Sequence, residues 1–216
     1  MRIEALRNMT PDEVRAALDR FSASYVLDWQ AWLAAPRKAR PRRFGEILRS
    51  WQATRPRAMR RLRSEAQHEP PYLDDLLESA REVIDVLGDL DVRIVGQKTR
   101  QQDEALNSLW DTFSRLTTTE LASCVGITKA VLLLTDGRIG PALDSIVRTK
   151  IKVDRPRTCG AWFEILEAVG EDIAAFESEH GLLNTVVQPR FAHLAYGRLY
   201  DMIFGPGKAQ PSRQTR

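Results

Sequence analysis

Cysteine is scarce in this chain: Cys124 and Cys159 are the only two among 216 residues. Two thiols cannot build a disulfide framework, nor can they supply the four thiolates of an iron–sulfur cluster or a structural zinc. The three histidines, His68, His180 and His193, stand far apart and lack the i, i+4 spacing that sets two imidazoles on one helix face. No metal and no cofactor is therefore expected. Long apolar runs are also missing, since AVLLL at 130 to 134 is far too short for a bilayer. The opening MRIEALRNMTPDEV has acids where a signal peptide needs an unbroken apolar core, so a cytoplasmic protein without a membrane partner is expected. No glycine-rich phosphate loop, internal repeat or strand-like alternation is found.

What is present is enough apolar material, 43% of the residues, to bury a core as one domain or two packed lobes. The net charge of +3 hides an asymmetry. Residues 37 to 63 hold eleven Lys/Arg against the single acid Glu46, whereas residues 64 to 92 hold nine acids against Arg81. The basic block, interleaved with Phe44 and Trp51, would neutralise several phosphates of a nucleic acid, with Arg60 and Arg61 as candidate contacts. Alternatively the basic and acidic segments face each other.

The remaining pattern is helical. Thr10-Pro11-Asp12-Glu13 combines an N-cap hydroxyl, a proline in the first turn and the glutamate of a capping box. Tyr25, Val26, Trp29 and Trp32 continue an apolar face, and Phe44 to Trp51 marks a short helix. A basic helix is expected around Met59 and Leu62, and a strongly periodic one from Leu73 to Leu87 with Gly88 as its stop. Residues 89 to 102 read as a polar crossing between lobes. Leu106 to Leu116 resumes the pattern, followed by helices over 158–169 and 171–180 divided by Gly170, and a last helix over 191–204. The expected fold is an all-α, two-lobed helical bundle: a lobe at 1–95, a second at 96–205, and a flexible tail at 206–216.

The stretch ELASCVGITKAVLLL poses the functional question. A capping box at Thr117 to Glu120 predicts a helix from Thr118 to Cys124, Gly126 a turn, and Thr128 the start of a second helix. A helix-turn-helix would put that second helix in the major groove, yet Ala130 to Leu134 coat it with apolar side chains. A buried helix followed by TDGRIGP and an aspartate is a different pattern. With ASCVG at 122–126, LDSIVR at 143–148 and LAYGRLYDMIFG near the C-terminus, the second half resembles the helix-hairpin-helix DNA glycosylase superfamily, in particular bacterial proteins with an 8-oxoguanine glycosylase-like fold. The family hairpin has a proline and a glycine where Ser123 and Cys124 stand here.

The resemblance implies a helix-hairpin-helix-like motif over 118–135, double-stranded DNA as partner, and excision of a damaged or modified base after it is flipped from the stack. It implies Asp144 as the carboxylate that balances charge developing on the sugar; the same side chain also reads as a plain N-cap. It offers Lys129 as the amine nucleophile of a member that also cleaves abasic sites, although the family position falls on Thr128. Gly126, Thr128 and Arg148 become backbone contacts, and Trp162, Phe163 and Phe204 a base pocket if they are not core. The alternatives are a catalytically inactive DNA-binding or defence-system protein on the same fold, or a helix-turn-helix regulator.

Overall fold

The computed structural model describes residues 1–55 and 57–207; most of the expected tail lies outside the described residues. Ten α-helices are present among them: α1 Pro11–Arg20, α2 Ala23–Leu33, α3 Arg40–Ser50, α4 Leu73–Leu87, α5 Arg100–Ser114, α6 Cys124–Leu134, α7 Ser145–Ile151, α8 Cys159–His180, α9 Leu183–Val186 and α10 Tyr196–Phe204. A 3-10 helix spans Val92–Gln97, and strand pairing is confined to two isolated bridges. The protein is all-α. None of the described helices is long and apolar enough to cross a membrane.

Local chemistry starts α1 where the sequence predicts, and starts α5 inside the stretch that reads as a polar crossing, six residues before Leu106. Thr10 and Glu13 close a reciprocal capping box at α1, and Thr99 and Gln102 do the same at α5. Gly88 ends α4 at φ +51, a conformation that side chains disfavour.

Packing divides the elements into two groups, with membership that the linear division at 95/96 misses. Helices α2, α3, α4, α5 and α6 form one group, with α2 packed on α3, while α1, α7, α8, α9, α10 and the 3-10 helix form the second. The chain thus begins in the second group, builds the first, and returns. Buried Asp172 on α8 anchors that return by accepting the N–H groups of Leu6 at 2.8 Å and Arg7 at 3.1 Å and the Tyr200 hydroxyl at 2.8 Å. The two groups share one hydrophobic core.

Four local readings are corrected. The polar crossing at 89–102 is packed structure, with Val92 and Val95 fully buried against α8. Gly170 does not divide two helices: α8 runs unbroken, and a Cβ built there would meet the Val92 carbonyl oxygen at 2.6 Å, so close helix packing explains the glycine. The last helix begins at Tyr196, after turns over 191–194. The basic helix around Met59 is absent, because Met59 bridges to Thr117 and Thr118 N–H donates to the Ala58 carbonyl at 2.9 Å.

The glycine contact gives a test. Gly170→Ala forces Cβ into the Val92 carbonyl and should destabilise by about 1–3 kcal/mol, as overpacking does. Gly160→Ala, with nothing within 4 Å of the new Cβ, should leave urea unfolding unchanged or slightly strengthened. Equal effects at the two positions would remove helix packing as the reason for Gly170.

Candidate functional site

The expected hairpin is only half formed. Residues 118 to 123 are irregular rather than helical, since the bridge to Met59 holds Thr117 extended and the Thr117 hydroxyl donates to the Glu120 carbonyl. Tertiary pairing overrides the capping box. Gly126 lies inside the first turn of α6, where a Cβ would meet the Ala53 carbonyl oxygen at 3.0 Å and Thr54 Cγ2 at 3.1 Å. It is a packing glycine, not a turn. Nine of the eleven α6 residues are buried, so this helix cannot enter a major groove and the helix-turn-helix alternative falls.

Lys129 and Asp144 do come together. Lys129 Nζ stands 3.9 Å from Asp144 Oδ2, within ion-pair range, and donates a hydrogen bond of 2.6 Å to the Trp51 carbonyl. The other oxygen, Asp144 Oδ1, caps α7 by accepting Ile146 N–H at 2.9 Å and Val147 N–H at 3.0 Å. Capping and pairing therefore use different oxygens of one carboxylate. Lys129 is 5% exposed, and the Asp144 side chain 16%. Burial pulls the Lys129 amine below its ordinary value, an effect that Asp144 and then Asp201 only partly reverse.

The segment before Asp144 is pinned from both packing groups. Leu143 N–H donates to Thr128 Oγ1 at 2.9 Å, and Ala142 N–H donates to Asp201 Oδ1 at 3.1 Å. Thr128, 1% exposed, also donates to the Cys124 carbonyl at 2.7 Å. It is thus a strut between α6 and α7, not a DNA contact. Upstream, Gly140 and Gly197 let the TDGRIGP loop press on the start of α10: a Cβ on Gly197 would meet Gly140 N at 2.6 Å.

Beneath the pair lies a feature the sequence did not disclose. Arg198, 1% exposed, pairs with Asp201 Oδ2 at 2.6 Å, and its guanidinium stands 4.6 Å from the Trp29 ring centroid, 5.2 Å from Phe21 and 5.4 Å from Trp51. Burial raises the Asp201 carboxyl, against the pull of Arg198. Half-buried Tyr25 stacks on Trp51 with ring centroids 5.5 Å apart. Burial raises its phenol first, and the nearby Asp144, Asp201 and Asp28 carboxylates add to the shift. The helical spacing of Tyr25, Trp29 and Trp32 marks a buried face in the sequence; only folding sets that face against Arg198.

The expected base pocket is core. Trp162 packs between Trp110 and Phe163 at centroid distances of 5.5 and 5.6 Å, and Phe204 lies against Tyr200 at 4.7 Å. Arg60 is also corrected: its Nε donates to the Arg115 carbonyl at 2.7 Å and its Nη1 to Pro71 and Glu69 carbonyls at 2.6 and 3.2 Å. Arg61 has an exposed side chain, with its backbone N–H directed to His68 Nε2. Arg63 faces the acidic segment, pairing with Asp75 at 2.7 Å. The two readings of the basic block thus divide along it, with Arg60 and Arg63 turned to their own chain.

Guanidiniums gather instead around the start of α6. A cavity of about 720 Å³ is lined by Arg148, Arg155 and Arg157, with Asp154 the one acid, beside Ser123 and Cys124. A second, of about 390 Å³, is lined by Arg55 and Arg155 with Glu120. Arg55, Arg148, Arg155 and Arg157 form no ion pair among the described residues. Of these, Arg148 is a candidate from the sequence and Arg55 lies in the basic block 37–63, whereas Arg155 and Arg157, on either side of Pro156, form no visible block.

Among the described residues no cluster of three or more His, Cys, Asp or Glu side chains is placed to hold a metal ion. Comparison with protein-family models, with curated proteins and with solved structures found no match.

The depressed Lys129 amine has a measurable consequence. The folded state holds its proton less tightly than the unfolded chain, whose lysine titrates near 10.5. Stability of the wild type relative to Lys129→Met should therefore rise as pH increases toward 10.5, and fall as it decreases toward the folded-state value. Urea unfolding of both proteins across this range checks the sign, and a flat difference would mean the amine is not desolvated.

Proposed function

We propose that the chain binds double-stranded DNA and excises a damaged or modified base, with Asp144 and Lys129 as its catalytic groups. The observation that carries this reading is the meeting of a desolvated amine and a carboxylate at 3.9 Å, from positions fifteen residues apart, where the two packing groups join. The resemblance in the sequence points to Asp144, and to Lys129 one residue beyond the position, Thr128, where the family carries its lysine.

The chemistry follows from their states. Cleavage of an N-glycosidic bond develops positive charge on the sugar while the base leaves with the bonding electrons and takes up a proton. Asp144 Oδ2, free of the capping role, stabilises that charge electrostatically. A Lys129 amine held below its ordinary pKa is more often unprotonated and so available to attack C1′, giving an iminium after ring opening. To do so it must leave the Trp51 carbonyl, so substrate entry requires the 51–55 segment to shift. Half-buried Tyr25, beside Asp144, takes the place of Trp162, Phe163 and Phe204 as the aromatic that stacks an extruded base.

One observation favours a second reading. Lys129 is 5% exposed and already hydrogen-bonded, which suits a DNA-binding protein that keeps the pair as structure without turnover.

Asp144→Asn separates the two. The amide oxygen still caps α7 but cannot balance charge on the sugar. On duplexes carrying single oxidised, alkylated or deaminated bases, wild type should yield alkali-labile abasic sites and Asp144→Asn should do so at least about 100-fold more slowly, with duplex affinity retained. A wild type that leaves every lesion intact, or an Asp144→Asn protein as fast as wild type, contradicts the assignment.

A further inference from the structure

Leu121 is more exposed than any other large apolar side chain among the described residues: 75% of its surface is open, against 65% for Leu27, the next. It does not dangle. Thr118 N–H is bonded to the Ala58 carbonyl at 2.9 Å on one side, and Ala122 N–H to the Ser114 carbonyl at 2.7 Å on the other. Arg60 ties the adjoining turn through the Arg115 carbonyl. A bulky apolar group is thus presented to solvent on a backbone fastened at both flanks.

Its surroundings are basic. Leu121 lines both cavities at the start of α6, so it stands between Arg55 on one side and Arg148 and Arg157 on the other, with Arg155 common to the two. The acids in the same walls are Asp154 and Glu120, leaving four guanidiniums against two carboxylates. An apolar projection alone would suit any apolar partner. Flanked by guanidiniums without carboxylate partners, it suits a polyanion whose interior is apolar, and duplex DNA has that character: phosphates outside, stacked bases within.

We propose that Leu121 is a wedge that enters the base stack of duplex DNA while Arg55, Arg148, Arg155 and Arg157 hold the phosphates on either side. This rests on the reading of the chain as a DNA-binding protein and adds to it the residue that unstacks the duplex. The fastening of residues 118 and 122 serves the wedge, because a side chain that must separate stacked bases cannot recoil into its own loop. Arg60, by clamping that loop, acts as a positioning residue at one remove from the DNA.

Fluorescence of duplexes carrying single 2-aminopurine bases, which brightens on unstacking, tests the proposal together with binding at several salt concentrations. Wild type should bind and brighten one position. Leu121→Ala should bind with an affinity within about tenfold of wild type and an unchanged salt slope, yet lose most of the brightening; Leu121→Trp should restore it. Arg155→Gln should lower the salt slope by about one while saturating protein still unstacks the base. Brightening by Leu121→Ala equal to wild type, or tight wild-type binding with no brightening at any position, overturns the wedge and leaves DNA binding standing. Failure of the wild type to bind duplex even at low salt overturns the DNA reading, and the wedge with it.

Discussion

The arrangement depends on one buried amine. Lys129 lies on a helix packed on nearly every side, where an ammonium loses its hydration and recovers only a fraction of it from a carbonyl and a carboxylate just beyond hydrogen-bond length. Burial of an incompletely paired lysine opposes folding, and an apolar side chain of similar length would fit the same place more easily. The neighbouring features accommodate it: the Trp51 carbonyl turned inward, the divided use of the Asp144 carboxylate, and the Asp201 carboxylate, which adds to the pull of Asp144 on the ammonium.

Position is supplied by the backbone on either side. Thr128 and Asp201 each hold an N–H of the segment leading into Asp144, one from α6 and the other from α10. The carboxylate is therefore fixed by both packing groups at once, and relative motion of the groups would change its distance to Lys129. The Arg198 guanidinium, enclosed by Phe21, Trp29 and Trp51, joins α10 to the aromatic face of α2 and so to the Trp51 carbonyl itself. Movement of the 51–55 segment would be felt by both partners of the pair.

Much of this was legible in the sequence, and the features that were not have a common cause. Capping boxes at Thr10 and the stop at Gly88 are local chemistry and act as the sequence implies. The box at Thr117 has the same threonine and glutamate at its ends yet forms no helix, because Met59, far away in the chain, claims the extended backbone. Gly126 and Gly170 look like turns, but their missing Cβ atoms make room for the carbonyls of Ala53 and Val92. Lys129 and Asp144 were readable as a pair only through the family resemblance. Arg155, Arg157 and Leu121 carry no pattern of their own, and the chain assembles them by folding.

On the proposed function, the Lys129 amine, with Asp144 beside it, acts on a deoxyribose. Borohydride reduction of the protein incubated with a duplex containing an abasic site, followed by mass spectrometry of the peptides, measures this directly. A covalent DNA adduct is expected on the peptide carrying Lys129, absent from Lys129→Gln and retained in Thr128→Ser. An adduct on another lysine, or none in a preparation that binds the same duplex, would contradict the role assigned to Lys129.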